Sequence, residues 1–378
     1  MTTSSMTITR PNIVLTVAVI GLVVTLGLAG MNLMSQGHTA FNTNSVGVSW
    51  GLPIVTYDYF LLTSTGLTLV ASLSLVFGIR AFQPVAKRCV WLAIAGLAGG
   101  VIALMLELGY PVRAMYGIVL AFQTGSPLFW KVLFVLAHFI LLLVLFSRMQ
   151  GGGGSVRGIA AAQFIAALGI ALIAGSVYGM MAMRPFWFGG DVPVAFLIES
   201  FLGGLAFIIF FSYMAHGFNA SSMPADLRAA MGGTLGATFA VVIALHAAFV
   251  GARVITGLWS NAEGLEVWNY ISSRPLFHVE IWLGIALPLV LMASSSTRQN
   301  PTMQIAASAL VMVSLLISRY DFIIGGQMVP LFKGSWAPAL LSYQPSTTEW
   351  LILLVAIFLA NVVNAYGEWK FDLDGRGG

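Results

Sequence analysis

SWGLPIVTYDYF, residues Ser49–Phe60, opens an apolar run that continues to about Ile79. Crossing a bilayer takes roughly 20 apolar residues, and this run supplies them. Near its start stands Asp58, between Tyr57 and Tyr59. The chain has only 13 acidic residues, and a carboxylate heading a membrane segment is costly to keep. Ionisable groups in such positions are functional candidates by default. The rest of the chain reads as the vessel for this group and a few partners like it.

Composition supports that reading. Of 378 residues, 58% are apolar and 8% charged, and the mean hydropathy is +0.92, which excludes an ordinary soluble domain. Apolar segments tile the whole sequence, so residues 1–378 are expected to form a single integral membrane domain. The net charge of +4 comes from basic residues scattered over loops and calls for no nucleic-acid partner. One cysteine, Cys89, excludes an intrachain disulfide, a CxxC redox pair and a cysteine-ligated cluster. The first apolar run, Ile13–Met34, is too long for a signal-peptide core and is expected to span.

Ten spans are read, at 12–34, 52–79, 89–110, 128–147, 158–182, 192–215, 230–257, 277–295, 303–325 and 348–366. With the N-terminus in the cytoplasm, Arg10, Arg80, Lys87, Arg88, Arg148, Arg157, Arg228, Arg298, Lys370 and Arg376 fall on the cytoplasmic side. Arg113, Lys131, Arg184, Arg253, Arg274, Arg319 and Lys333 fall on the other, so the basic bias places both termini inside. The cytoplasmic group reads as loop residues; most of the outer group stands at helix ends, as a polar site under the outer face requires. The loop Arg148–Arg157, with four consecutive glycines, reads as a flexible connection, since no Lys-Ser or Lys-Thr pair follows to hold a phosphate.

The sequence also echoes itself. Pro127-Leu128-Phe129 opens the fourth span and Pro275-Leu276-Phe277 the eighth; Pro53 precedes Asp58, and Pro193 precedes Glu199; Arg113 follows the third span, and Arg253 stands near the end of the seventh. Each pair lies four spans apart, an even offset that inserts both halves the same way up. The expected fold is all-α: two four-helix bundles, spans 2–5 (52–182) and 6–9 (192–325), in parallel repeat, with the first and last helices peripheral.

The intramembrane ionisable groups gather near the expected outer face: Asp58, Glu107, Lys131, His138, Arg184, Glu199, His246, Arg253, His278, Glu280, Arg319 and Asp321. The inner half is almost purely apolar. Asp58 has no basic neighbour in sequence, and left unpaired its carboxyl would resist ionisation. Glu107-Leu-Gly-Tyr-Pro-Val-Arg113 closes the third span, with Pro111 ending the helix and an ion pair expected across the break. Lys131 and His138 share a helix face at i and i+7. None of the five histidines pairs with another on one helix as a stacked haem pair requires, and no helix offers HExxH. No haem or metal is expected. A one-sided site suits an amphipathic ligand entering from lipid. A quinone fits: its carbonyl oxygens need donors such as Tyr, His, Lys or Arg, and its reduction needs protons that carboxylates relay. The alternative is a secondary transporter or ion-conducting subunit whose acids bind a cation.

SWGLPIVTYDYFLLTSTGLTLVAS (49–72), LELGYPVR (106–113), SPLFWKV (126–132), RPFW (184–187), RYDFIIGGQMVP (319–330) and PSTTEW (345–350) together resemble the NrfD/polysulfide-reductase membrane-subunit family over nearly the whole chain. The resemblance implies a bacterial or archaeal cytoplasmic-membrane subunit without haem, exchanging electrons between menaquinone or ubiquinone and a ferredoxin-like iron–sulfur subunit. A molybdopterin-type catalytic subunit commonly lies beyond. It points to Asp58, Glu107 and His138 as the chemical groups, and to Tyr57, Asp58, Arg113, Lys131 and His138 around the head group. Glu199, His246 and Glu280 then read as a degenerate second site or a proton route. Glu107, where aspartate is usual, and Lys131, where an acid or neutral residue is usual, depart from the family pattern.

Overall fold

A computed structural model describes residues 10–44, 47–151, 155–260, 264–331 and 339–374. Lys333, Arg376 and most of the four-glycine run lie outside the described residues. Among the described residues, ten helices are long and apolar enough to cross a membrane. In chain order the helices are α1 (Arg10–Gln36), α2 (Leu52–Leu75), α3 (Gln83–Glu107), α4 (Pro111–Ala121), α5 (Pro127–Gln150), α6 (Arg157–Gly179) and α7 (Asp191–Ala215). There follow α8 (Ala225–Ala230), α9 (Gly236–Trp259), α10 (Val267–Ser272), α11 (Pro275–His278), α12 (Leu287–Ala293), α13 (Ser295–Arg298), α14 (Pro301–Met328) and α15 (Thr347–Lys370). No strand occurs among the described residues.

The molecule is assembled around α2, which packs on α3, α6, α7, α14 and α15. It is the least apolar of the ten spans and the most buried. Inside a membrane protein this is not a contradiction, because lipid-facing helices must be apolar and interior ones need not be. The hydroxyls of Thr56, Thr63, Thr65, Thr68 and Ser72 donate to carbonyls one turn back, at 2.8–3.2 Å, which hides them from the apolar interior. Gly66 brings α2 against α7: a Cβ there would overlap the Ser200 carbonyl. Close approach of this kind requires the smallest residue.

The first turn of α2 is tied down from three sides. Gln327 Oε1 on α14 accepts the amides of Ser49 and Trp50, both at 2.9 Å, and its Nε2 donates to the Trp50 carbonyl at 2.9 Å. The Tyr343 hydroxyl accepts the Leu52 amide at 2.8 Å and donates to Glu349, whose carboxylate closes a capping box with Ser346. These contacts satisfy donors that a helix N-terminus leaves open. Burial, and then the Glu349 charge, push the Tyr343 phenol well above its ordinary range, so it serves as a donor and not as an anion.

Around α2, α5 packs on α3 and α6, while α7 packs on α6, α9 and α14. A π-helical segment, Val279–Ala286, joins α11 to α12 and lies against α14. Pro288 stands just beyond it, and a proline lacks the amide and crowds the carbonyl one turn back, which favours a widened turn. α1 packs on α15, which in turn lies on α3.

Several sequence expectations shift. The second span stops at Leu75, not Ile79, because Gly78 takes φ 74° and the amides of Gly78 and Ile79 turn back to Ser74 and Leu73. Pro111 ends α3 as expected but also starts α4, which carries Arg113 to the exterior. No ion pair joins Glu107 and Arg113 among the described residues. Arg88, taken as a loop residue, lies within α3 at 1% exposure.

Candidate functional site

The expensive groups collect at the end where α2, α5 and α7 begin and α3, α6 and α14 finish. α2 presents Tyr57 and Asp58 in its second turn. Asp58 is wholly buried. Pro127 at the start of α5 fixes that helix's first turn and brings Lys131 to Asp58, Nζ to Oδ1 at 2.7 Å. The Tyr178 hydroxyl, at the end of α6, donates to Oδ2 at 2.6 Å. Asp58 is not left unpaired: both oxygens are engaged, by residues 73 and 120 positions away.

The partners of Asp58 are not themselves used up. A lysine ammonium has three donors, and one goes to Asp58. Its Nζ also sits 4.8 Å from the centre of the Tyr57 ring. The Tyr57 hydroxyl has no hydrogen-bond partner among the described residues, whereas Tyr178 is enclosed by Trp50, Trp187, Phe196 and Phe322 at ring separations of 5.1–5.6 Å. Tyr57 and Lys131 thus keep free donors beside a buried carboxylate. That is the donor set a quinone carbonyl requires.

His138 stands apart from this group, about 10 Å further along α5 at 1.5 Å per residue. Its Nδ1 faces Gln163 Nε2 at 2.7 Å and its Nε2 faces Ser64 Oγ at 3.1 Å. Ser64 spends its proton on the Ala93 carbonyl at 2.7 Å, so its oxygen accepts from Nε2–H and Gln163 donates to Nδ1. That assignment makes the ring neutral and fully occupied, a pin between α2, α5 and α6. Glu107 is half-buried at the end of α3, and Arg113 is exposed on α4; neither has a contact with Asp58 among the described hydrogen bonds and ion pairs.

The other acids singled out in the sequence lie across α2. Glu199 on α7 pairs with Arg319 of α14, whose guanidinium stacks 3.9 Å from the Phe196 ring. Glu280, in the π-helical segment, and Glu199 both line a cavity of ≈ 60 Å³ with Arg253, Asp321 and Phe322. A second gap of ≈ 10 Å³, lined by Glu199, Arg319, Tyr59 and Thr63, lies between α7, α14 and α2. His246 is buried, with Nε2 unpartnered. The larger cavity therefore lies beside Glu280 and not beside Asp58. Among the described residues no cluster of three or more His, Cys, Asp or Glu side chains is arranged to hold a metal ion.

Sequence reading missed Tyr178 and Gln163, and it counted Arg319 and Asp321 without giving them roles. Tyr178 sits in no motif; its only signal is a polar aromatic at the end of a span. Gln163, a buried amide in an otherwise apolar helix, could have been flagged as needing a partner.

Ten apolar helices enclosing a charged cluster at one end define a multi-pass integral membrane protein. The family model "Polysulphide reductase, NrfD" matches residues 39–331, well over half of the chain, and the chain belongs to that family. It is similar to a selenate reductase subunit of Mesobacillus selenatarsenatis, 24% identical over 80% of this chain and 80% of that protein. It is also similar to a putative dimethyl sulfoxide reductase membrane subunit of Halobacterium salinarum, 22% identical over 91% of this chain and 88% of that protein.

Proposed function

We propose that this chain is the quinone-reactive membrane anchor of a respiratory oxidoreductase complex in a bacterial or archaeal cytoplasmic membrane, with both termini cytoplasmic. The relatives' names, a selenate reductase subunit and a dimethyl sulfoxide reductase membrane subunit, support a place beside a catalytic subunit. An iron–sulfur subunit is the electron partner this reading requires, and a molybdopterin-type subunit the natural catalytic one. We group α2, α3, α5 and α6 as one four-helix unit and α7, α9, the α11–α12 span and α14 as its repeat.

The observation that carries the reading is Asp58, buried and engaged by Lys131 and Tyr178, beside the free hydroxyl of Tyr57. When bound, menaquinone or ubiquinone supplies two-electron, two-proton redox chemistry. Tyr57 and Lys131 donate hydrogen bonds to its carbonyl oxygens. Asp58 holds Lys131 charged and in place, and Tyr178 fixes the carboxylate. A proton passing from Lys131 to Asp58 leaves both groups neutral, so the pair shifts a proton without leaving a net buried charge. Glu107, half-exposed at the end of α3, and Arg113 on α4 form the rim through which protons and the head group approach. His138 holds α2, α5 and α6 in register. Glu199, His246 and Glu280 form the proton route in the second unit.

Titration of the purified complex with a fluorescent quinone analogue tests this. Tyr57→Phe deletes one donor and should weaken binding about tenfold, the equivalent of ~1.4 kcal/mol, without loss of assembled complex. Asp58→Asn should abolish saturable quenching. Unchanged binding in both variants, with an ion flux lost in Asp58→Asn, would replace the quinone reading with an ion-conducting one.

A further inference from the structure

The cavity in the second unit contains a charge problem that its ion pairs do not solve. Two of those pairs are complete. Glu199 is matched by Arg319, and Asp191 faces Arg253 at 3.6 Å. Arg253 is further committed, donating to the Phe186 carbonyl at 2.8 Å and lying over the Phe322 ring. Two carboxyl groups remain, Glu280 and Asp321, each 5% exposed. Asp321 lines the cavity, and neither of its oxygens has a hydrogen-bond partner. The cation that approaches it is Arg274, 3.6 Å from Oδ1 and a quarter exposed. Glu280 lines the same cavity, with Ser318 beside it in the wall. Two carboxylates against one peripheral guanidinium leave one uncompensated negative charge in an apolar interior, an arrangement that is strongly unfavourable unless neutralised.

We propose that Glu280 and Asp321 form a proton-holding site, sharing one proton between them with water in the cavity. The step balances: a hydronium gives its proton to one carboxylate and leaves a water, and the pair then matches Arg274 in charge. The cavity's ≈ 60 Å³ holds on the order of two waters, at ~30 Å³ each. Those waters supply the hydrogen bonds that Asp321 lacks. A hard metal cation would want about six oxygen ligands, but the remaining walls are largely aromatic and aliphatic. The widened turn of the Val279–Ala286 segment, a feature frequent at functional sites, is what carries Glu280.

Two features connect the site to its surroundings. His246 lies on the same face of α9 as the cavity-lining Val250 and Arg253, one and two turns from them, with Nε2 unpartnered. Glu199 borders both this cavity and the smaller gap that reaches Thr63 of α2. Arg319, paired to Glu199, stacks on the Phe196 ring, which also packs against Tyr178, the donor to Asp58. The site rests on its own geometry; only the use made of its proton rests on the quinone reading.

Infrared difference spectroscopy of the full chain in lipid nanodiscs at neutral pH tests the proposal. Wild type minus Glu280→Gln/Asp321→Asn should contain the carbonyl stretch of one protonated carboxylic acid, shifted in heavy water. Each single variant should move or remove it. A difference spectrum without that band overturns the proposal. So does a band that disappears when sodium replaces choline in the buffer, which would make the cavity a cation site. Retained quenching by the quinone analogue shows that a variant is folded. Asp58→Asn should lose that quenching yet keep the band, so failure of the quinone reading and failure of the proton site give different results.

Discussion

Two buried charge networks sit at opposite ends of this protein. At one end Arg88 is held between two carboxylates. Its Nε and Nη2 hold both oxygens of Glu368 at 2.9 and 3.1 Å, and its Nη1 holds Asp374 at 2.8 Å. Asp374 then meets His216 at 3.2 Å. This ties α3, the end of α7 and the tail beyond α15 into one knot. At the other end Lys131, Asp58, Tyr57 and Tyr178 leave donors over. The first network is complete and holds helices together; the second is incomplete in the way a ligand site must be. Burial and pairing alone do not separate the two. A whole side chain left without a hydrogen-bond partner among the described residues, Tyr57, does.

The contrast is most exposed at Arg88. Arg88→Ala strands two acids, and removing one partner of a buried pair costs about 3–5 kcal/mol. The expected outcome is near-complete loss of monodisperse protein in fluorescence-detected size-exclusion chromatography. Asp58→Asn should do the reverse. Protein yield should fall less than for Arg88→Ala, because one charge and not two is stranded and Tyr178 can still donate to the amide oxygen, but quinone-linked turnover should fall ~100-fold or more, the range of a lost acid–base group. If Arg88→Ala folds normally, or Asp58→Asn turns over normally, the distinction between the two ends fails.

His138 tests where the binding end stops. It lies on the same helix as Lys131, but both its ring nitrogens are filled by Ser64 and Gln163. His138→Ala leaves the buried Gln163 donor and Ser64 oxygen without their partner, at about 1–3 kcal/mol. A lower thermal midpoint with unchanged analogue affinity is expected. Lost affinity at an unchanged midpoint would return His138 to the binding group.

Much of the fold was legible because the bilayer sets a length and demands apolar residues, so the ten spans are written in composition. Asp58 was legible for the same reason, as an exception to that demand. Its partners were not. Lys131 and Tyr178 come from helices 73 and 120 residues downstream, and no local pattern specifies which interior face meets which. Arg88 was misread because counting basic residues treats one at a helix start as loop. The knot that buries it is formed by the distant Glu368 and Asp374. The Glu107–Arg113 pair failed because Pro111 begins a new helix as readily as it ends an old one.

A weaker effect is a pH dependence confined to the Arg88 end. His216 Nδ1 lies 2.8 Å from the Ser212 carbonyl and Nε2 3.2 Å from Asp374. Both neighbours are acceptors, so both nitrogens must carry protons, and only the imidazolium satisfies them. The hydrogen bond to Asp374 accordingly raises the His216 pKa above its ordinary value, against the opposing effect of burial. Burial works to raise Asp374, but the His216 bond and the Arg88 charge outweigh it and hold that carboxyl well below the usual range. The signs differ. The Asp374 contribution is present above the ordinary carboxylate range and is lost only in strong acid, as pH falls through the depressed value. The His216 contribution is complete below about pH 6.5 and is lost as pH rises through the elevated value. Between these limits lies the most stable window. Thermal midpoints should therefore decline by about 1–3 °C from pH 6 to pH 9, and His216→Gln should flatten that decline while leaving quinone-analogue binding untouched. A decline of equal size in His216→Gln would show that the pH dependence does not arise from this pair.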